Sequence, residues 1–195
     1  MPTKPRFICV GAIHLLKGHQ YLFRAFQIVK KALPDAELIC AGRYSHDFRL
    51  ERPRWENTFT NCYLDHAQLA ELMRSCSAFV FPSQREEIAR ARMEALACGL
   101  PVIGTHGGGT TTLVDDGVEG SIVNGRDPQE IAAAMINLAT DHELNQRMGE
   151  AVHRKRVIRN TWQDYGDRLL AEYERRLSFG KQPVTEGAIA GLDRR

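Results

Sequence analysis

The chain has 195 residues, of which 43% are hydrophobic and 26% are charged, and its formal net charge at pH 7 is +2. This length and composition are typical of one globular α/β domain with a buried core. The small net charge argues against a nucleic acid or a strongly anionic surface as the main partner.

Short apolar runs alternate with amphipathic segments through the first half of the chain. Apolar runs that end in glycine or proline are typical of buried strands, whereas apolar residues every three or four positions are typical of helices. In chain order we predict a strand at 7–11, a helix at 18–33, a strand at 36–42, a loop at 43–57, a short strand at 59–64, a helix at 66–76, a strand at 78–81, a helix at 84–98 and a strand at 101–104.

The second half of the chain is mostly helical. A last short strand at 121–123 precedes three helices predicted at 128–139, 143–158 and 162–177, and residues 178–195 have the composition of a flexible tail. Alternating strands and helices predict an α/β fold with a doubly wound parallel sheet, Rossmann-like, over residues 1–177 with additional C-terminal helices.

The cysteine pattern and the N-terminal residues indicate in which cellular compartment the protein is expected. The five cysteines form no CxxC pair and no cluster with histidine, which predicts reduced thiols without a disulfide or a zinc site. The chain enters an apolar run almost at once, so we expect no signal peptide. No apolar run approaches the roughly 20 residues that span a bilayer. We therefore expect a cytoplasmic protein.

Ligands of doubly wound sheets bind beyond the carboxyl ends of the strands. Three segments follow predicted strand ends, at 11–18, 82–94 and 104–110, and they are the place to look for function. The third segment contains three consecutive glycines at 107–109, which fit either a phosphate-binding turn or a plain turn.

Glu86 and Glu94 stand out in the second segment. Eight helical steps cover roughly 12 Å and rotate the side chain by about 80°. Both carboxylates can therefore face one long ligand, such as a nucleotide sugar, only if Glu86 lies at or before the first turn. Carboxylates suit sugar hydroxyls because they accept hydrogen bonds. A structural interpretation stays open, in which Ser83 and Glu86 form a capping box and Glu94 is an ordinary exposed carboxylate.

The same stretch resembles a known family. Residues 82–104, PSQREEIARARMEALACGLPVIG, resemble the pattern PS-x-x-E-G-F-G-L-x-x-x-E-A-M-A-x-G-x-P-V of the retaining glycosyltransferases called family four or group 1, which adopt the GT-B fold. VGAIHLLKG at 10–18, PDAELICAG at 34–42 and the stretch at 108–135 resemble further motifs of that family. The resemblance runs through 7–177 in the correct order and implies the donor-binding half of a GT-B enzyme.

The resemblance also implies roles for individual residues. Lys17 matches the basic residue that contacts the donor diphosphate, and Gly11 of the same motif would also belong to the donor-binding site. Glu86 matches the carboxylate that faces the donor sugar, and Glu94 matches the one that holds the ribose hydroxyls. Backbone N–H groups of the next positions would contact the sugar or phosphate, namely those of Ile88, Ala89 and Arg90. Lys17 and Glu86 would be the catalytic residues, and the family needs no metal or other cofactor.

Departures from the family pattern keep other functions open. Ala12 replaces the arginine of the diphosphate clamp, and three residues are candidates to take its place: His14, Arg43 and Arg90. Residues 87–89 replace Gly-Phe-Gly, and the loss of the two glycines prevents a ligand from approaching the backbone closely there. Thr112 replaces a glutamate of the family pattern. The alternative to a transferase is a non-catalytic binding or regulatory module with a decayed donor site. A sugar-nucleotide epimerase of the same fold ranks third.

The resemblance finally implies partners. Family members carry an N-terminal domain that binds the acceptor, so we expect a nucleotide-sugar donor and an acceptor-binding domain or subunit outside this chain, within polysaccharide or glycoconjugate biosynthesis. The basic run at 153–159 fits either a solvated helical face or peripheral contact with the inner face of a membrane. Tyr44, His46 and Trp55 are predicted to lie in a surface loop.

Overall fold

The computed structural model describes residues 4–45, 58–59, 64–85, 89–157 and 161–179. By contacts the chain divides into two compact units, Met1–Ile158 and Arg159–Arg195. The first unit contains the whole sheet, and the described part of the second unit is a single helix.

The first unit is built on a six-stranded sheet in which every neighbouring pair is parallel. The strand order is β3-β2-β1-β4-β5-β6, so the chain first builds outward from β1 and then returns to its other side. The strands are β1 Arg6–Val10, β2 Glu37–Ala41, β3 Thr58–Phe59, β4 Ala78–Phe81, β5 Val102–Thr105 and β6 Gly120–Val123.

The helices are α1 His19–Ala32, α2 His66–Arg74, α3 Arg90–Ala97, α4 Pro128–Thr140, α5 His142–Val152 and α6 Trp162–Phe179. Short 3-10 turns lie at Leu15–Lys17, His106–Gly108 and Thr110–Thr112, and a π-helical turn at His153–Val157 follows α5. The side chain of Asp65 caps α2 by accepting from the backbone N–H of Gln68, whose side chain returns the bond.

Alternate strand residues enter two separate cores, as the period of two in a strand requires. On one face Phe7 and Cys9 pack with residues of α1, α4 and α5. On the other face Ile8 and Phe79 pack with residues of α2 and α3 and with Val152 at the end of α5. Helices therefore cover both faces of the sheet, and the predicted doubly wound architecture is confirmed.

Several predicted bounds differ from the structure. The helix predicted at 84–98 begins only at Arg90. The helix predicted at 143–158 ends as an α-helix at Val152. The last helix continues to Phe179, two residues into the predicted tail. Most of the predicted loop at 43–57, with His46 and Trp55, lies outside the described residues.

A partly buried ion pair holds the π-helical turn against the connection between β5 and β6. Lys155 Nζ lies 3.0 Å from the Glu119 carboxylate, whose side chain is fully buried, and 2.5 Å from that of Asp115. The basic run therefore contributes one of its charges to an ion pair within the domain. Its proposed contact with lipid stays a prediction.

The helix of the second unit carries a row of exposed apolar side chains. Thr161 donates from its backbone N–H and its hydroxyl to the Asp164 carboxylate, which fixes the first turn. The exposed apolar residues of α6 follow the helical period: Trp162, Tyr165, Leu169, Leu170, Tyr173 and Leu177. Among the described residues, no helix has the length and apolar character that crossing a membrane would require.

Candidate functional site

The candidate site lies at the carboxyl edge of the sheet, where the loops after the central strands meet. The backbone N–H of Gln84, after β4, donates to the carbonyl of Leu16, after β1, at 3.1 Å. The hydroxyl of Thr105, at the end of β5, donates to the carbonyl of Ser83. These bonds bring together the three segments that the sequence places beyond strand ends.

Gly11 and Lys17 lie next to each other in the loop after β1. Gly11 adopts a φ of 127° and donates its backbone N–H to the carbonyl of Ala41 at 2.9 Å. A Cβ placed on Gly11 would lie 3.8 Å from Lys17 Nζ, so the half-buried lysine folds back over a backbone without a side chain. A compact ammonium group beside bare backbone is an arrangement suited to a phosphate.

Gly18 lets this loop approach the segment after β4. Its φ of 71° is in the left-handed region, where glycine is favoured over residues with a Cβ. A Cβ at Gly18 would overlap the carbonyl oxygen of Pro82 and would lie 2.9 Å from its carbonyl carbon. Helix α1 begins at the next residue, so its N-terminus, with the positive end of the helix dipole, lies at the same edge of the sheet.

The segment after β4 differs from the prediction. The N-cap of α3 is Ala89, in extended conformation and without a side-chain cap bond, so the interpretation of Ser83 and Glu86 as a capping box is wrong. The hydroxyl of Ser83 is buried and has no hydrogen-bond partner in the described part of the chain. The contacts with Leu16 and Thr105 hold 83–84 outside helical geometry. Glu86 and Ile88 lie in 86–88, outside the described residues.

The other predicted site residues of this segment lie on α3. Ala89 is buried, and Arg90 is exposed at the first helical position. Glu94 lies one turn further along the same face. Its side chain is 29% exposed, and its Oε1 atom lies 4.0 Å from Nδ1 of His66, the first residue of α2. Glu94 is thus a partly covered carboxylate with an imidazole neighbour that the sequence did not suggest.

The three candidates for the missing clamp arginine occupy different places. The carbonyl of Arg43 accepts from the backbone N–H of Ile13 at 2.9 Å, which fixes its main chain beside the loop after β1. Its side chain is exposed, as is that of Arg90. The carbonyl of His14 lies 3.4 Å from Nδ1 of His19. The main chains of His14 and Arg43 therefore both adjoin the position of Ala12, whereas Arg90 lies at the start of α3.

A buried arginine that the sequence did not suggest connects the segments that form the site. The side chain of Arg92 on α3 is completely buried. Its Nη1 atom donates to the hydroxyl oxygen of Thr110 at 3.0 Å, and its guanidinium carbon lies 5.0 Å from the centroid of the Phe81 ring. A cation over an aromatic face with a hydrogen-bond acceptor compensates part of the cost of burial. Arg92 thereby joins α3 to β4 and to the turn after the glycines.

Replacing Thr110 with valine, which has a similar shape but no hydroxyl, is expected to lower the free energy of unfolding by about 2 kcal/mol. The buried guanidinium of Arg92 would lose this hydrogen-bond acceptor. Thr111 is exposed in the same 3-10 turn, so Thr111→Val is the matched control and should change stability by less than about 0.5 kcal/mol. Urea denaturation of both variants measures the difference. Equal losses in the two would show that the hydrogen bond contributes nothing.

A buried histidine lies just inside the loop that carries Lys17. His19 is 1% exposed at the start of α1, and its Nε2 atom lies 3.5 Å from the sulfur of Cys9. Burial lowers its pKa from 6.5 to about 4; the hydrogen bond with the carbonyl of His14 opposes this shift, and the charge of Lys17 adds to it. His19 is therefore neutral at physiological pH. The four described cysteines are free thiols, and burial raises the pKa of Cys76 to about 12.

Comparison with known proteins relates this site to a family of enzymes. The family model described as Glycosyl transferases group 1 matches residues 2–155. A protein of Corynebacterium kroppenstedtii named D-inositol 3-phosphate glycosyltransferase is 32% identical over 155 residues, which are 72% of this chain and 34% of that protein. The chain thus spans well under half of the length of such relatives.

Solved structures confirm the predicted fold as one half of a GT-B architecture. The C-terminal domain of a glycosyl transferase group 1 family protein, LpcC from Francisella tularensis, superposes with a TM-score of 0.70 at 21% identity, covering 81% of this chain and 89% of that one. Alr3699/HepE from Anabaena, solved in complex with UDP-glucose, gives a TM-score of 0.67 at 18% identity, covering 78% of this chain and 43% of that one. With the match over residues 2–155, these similarities show that the chain belongs to the glycosyl transferases group 1 family.

Proposed function

We propose that this chain is the donor-binding domain of a retaining glycosyltransferase, which moves a sugar from a nucleoside diphosphate sugar to an acceptor held by a second domain or subunit. The observation that carries the proposal is the convergence of the Gly11–Lys17 loop with the segments after β4 and β5 at one edge of the sheet. Membership of the group 1 family supports the same class of reaction.

In this proposal the positively charged elements bind the diphosphate. Lys17 supplies an ammonium charge over the bare backbone of Gly11, and the N-terminus of α1 opens at the same edge. Positive charge held at this position stabilises a leaving diphosphate as its negative charge develops. No metal ion is part of the proposal, since these groups perform the neutralisation that a metal would otherwise supply.

The α3 segment binds the rest of the donor. Glu94, partly covered and beside His66, accepts hydrogen bonds from the ribose hydroxyls. Glu86 faces the donor sugar and steadies charge at the anomeric carbon, a role that rests on its place in the family motif. The backbone N–H groups of Ala89 and Arg90, at the start of α3, have no acceptor within that helix and donate to the sugar or phosphate. The family motif gives Ile88 the same role.

Thermal unfolding of the 195-residue chain with UDP, GDP, ADP and their sugars tests the proposal. A ligand at 100 times its dissociation constant adds about 2.7 kcal/mol of stability. UDP-glucose is the first donor to try, because it is bound in the Anabaena structure. We expect Lys17→Ala to weaken binding about 10- to 100-fold, since a charge-assisted contact is lost.

Two further variants sharpen this test. Glu94→Ala should also reduce the stabilisation, whereas Lys31→Ala, which changes an exposed lysine at the end of α1, should retain it. No stabilisation of the wild type by any nucleotide at millimolar concentration would rule out a working donor site in this chain. A non-catalytic module would then be the better description.

A further inference from the structure

Both the nitrogen and the oxygen of the Gln84 side-chain amide are hydrogen-bonded. Its Nε2 atom donates to the carbonyl of Pro82 at 3.0 Å and to the carbonyl of Gly125 at 2.8 Å. Its Oε1 atom accepts from Nε of Arg126 at 3.2 Å. Its backbone N–H donates to the carbonyl of Leu16 at 3.1 Å. One half-buried residue thus uses its main chain and its side chain to reach separate parts of the chain.

These partners belong to loops that follow different strands. Leu16 lies after β1, Pro82 after β4, and Gly125 and Arg126 after β6. The loop after β5 also approaches closely, because a Cβ at Gly107 would lie 2.5 Å from the carbonyl oxygen of Gln84. Gln84 therefore lies where the loops of the four adjacent strands β1, β4, β5 and β6 meet.

The amide group fits this position chemically. A carboxamide offers two N–H donors and a carbonyl acceptor on one short plane. Here the donors face two backbone carbonyl oxygens and the acceptor faces a guanidinium N–H, which also fixes the orientation of the amide. A carboxylate of the same shape would direct an oxygen at two carbonyl oxygens. An alanine would remove the side-chain connection between the segment after β4 and the loop after β6, while the main-chain bond to Leu16 would remain.

The connection extends to the residues placed in the donor site. Leu16 directly precedes Lys17, and Gly107 begins the glycine run after β5. We propose that Gln84 is a positioning residue: it fixes the Lys17 loop relative to the loops after β5 and β6 and thereby sets the affinity for the diphosphate part of the donor. It acts through these loops and not by touching the ligand. The link to affinity rests on the proposed function, whereas the connection between the loops does not.

Amide hydrogen exchange tests the connection without any ligand. In Gln84→Ala the segment after β4 keeps its main-chain bond to Leu16 but loses its anchor on the loop after β6. We therefore expect the backbone N–H groups of Gly18 and Asp127, which bond within the two loops, to exchange about tenfold faster than in the wild type. The N–H of Leu33, at the far end of α1, should keep its rate. Gln27→Ala changes an exposed glutamine on α1 and is the matched control. Unchanged exchange at Gly18 and Asp127 would overturn the proposal.

Calorimetric titration with UDP then tests the positioning role. Gln84→Ala and the isosteric Gln84→Glu should each raise the dissociation constant about tenfold, whereas Gln27→Ala should leave it unchanged. The glutamate variant keeps the shape of the residue and serves if the alanine variant does not fold. Faster exchange with an unchanged dissociation constant would overturn the positioning role. A wild type that binds no nucleotide would overturn the proposed function and the link to affinity, while the exchange rates still decide whether Gln84 connects the loops.

Discussion

Replacing Gly18 with alanine should lower the free energy of unfolding by about 3 kcal/mol. Part of this loss is conformational, since a residue with a Cβ at a φ of 71° is disfavoured by about 1 kcal/mol. The larger part is steric, because the new methyl group would overlap the backbone carbonyl of Pro82, which cannot rotate away as a side chain can. Overpacking of this kind costs about 1–3 kcal/mol.

Gly99 separates these two contributions. It also lies in the left-handed region, with a φ of 75°, but a Cβ there would meet no heavy atom within 4 Å. Gly99→Ala should therefore show only the conformational loss of about 1 kcal/mol. Chemical denaturation of the two variants gives the comparison. If both variants lose the same free energy of unfolding, the carbonyl of Pro82 does not clash with the new methyl group, and the two loops are less tightly packed than the 2.9 Å approach to its carbonyl carbon indicates.

The stability of the protein should fall as the pH drops from 6.5 to about 4, because His19 must be neutral in the folded state. Its pKa is about 4 when buried and 6.5 when exposed, so the unfolded chain binds the proton more readily. The contribution of His19 is complete above pH 6.5 and is lost on acidification through this range. A shift of this size corresponds to roughly 3 kcal/mol.

An uncharged replacement isolates this effect from other acid-sensitive groups. In His19→Asn the free energy of unfolding should vary less with pH between 6.5 and 4 than in the wild type, and the difference in slope should approach one proton near the middle of this range. His142→Asn, which changes an exposed histidine of α5, is the control and should keep the wild-type slope. Equal pH dependence in wild type and His19→Asn would show that folding does not lower the pKa of His19.

The fold was predictable because its strands are short, apolar and punctuated by glycine or proline. The runs at 7–11, 36–42 and 78–81 could be buried strands only in a sheet covered on both faces, and helical periodicity lay between them. The start of α3 was not predictable. Ser83 and Glu86 have the spacing of a capping box, and only the tertiary contacts of Gln84 and Ser83 keep that stretch out of the helix.

The site was predictable only in part. The motif around Lys17 and the close packing of Gly11 with it agree. Gln84 and Arg92 carried no signal, because one occupies a variable position of the family pattern and the other is a charged residue in a polar helix, expected to face solvent. Their roles depend on partners distant in sequence: Gly125 is 41 positions from Gln84, and Thr110 is 18 from Arg92. Local pattern contains no information on such partners.

The position of β1 in the centre of the sheet shapes how the domain folds during synthesis. β1 can pair with β2 as soon as Glu37–Ala41 has left the ribosome, but its other neighbour is β4, and Arg6 bonds to Ser77, 71 positions later. At 5–20 residues per second, those 71 residues take roughly 4–14 s to synthesise. One edge of β1 remains without its strand partner for that time, and until β4 is made its unpaired N–H and C=O groups can pair with another chain.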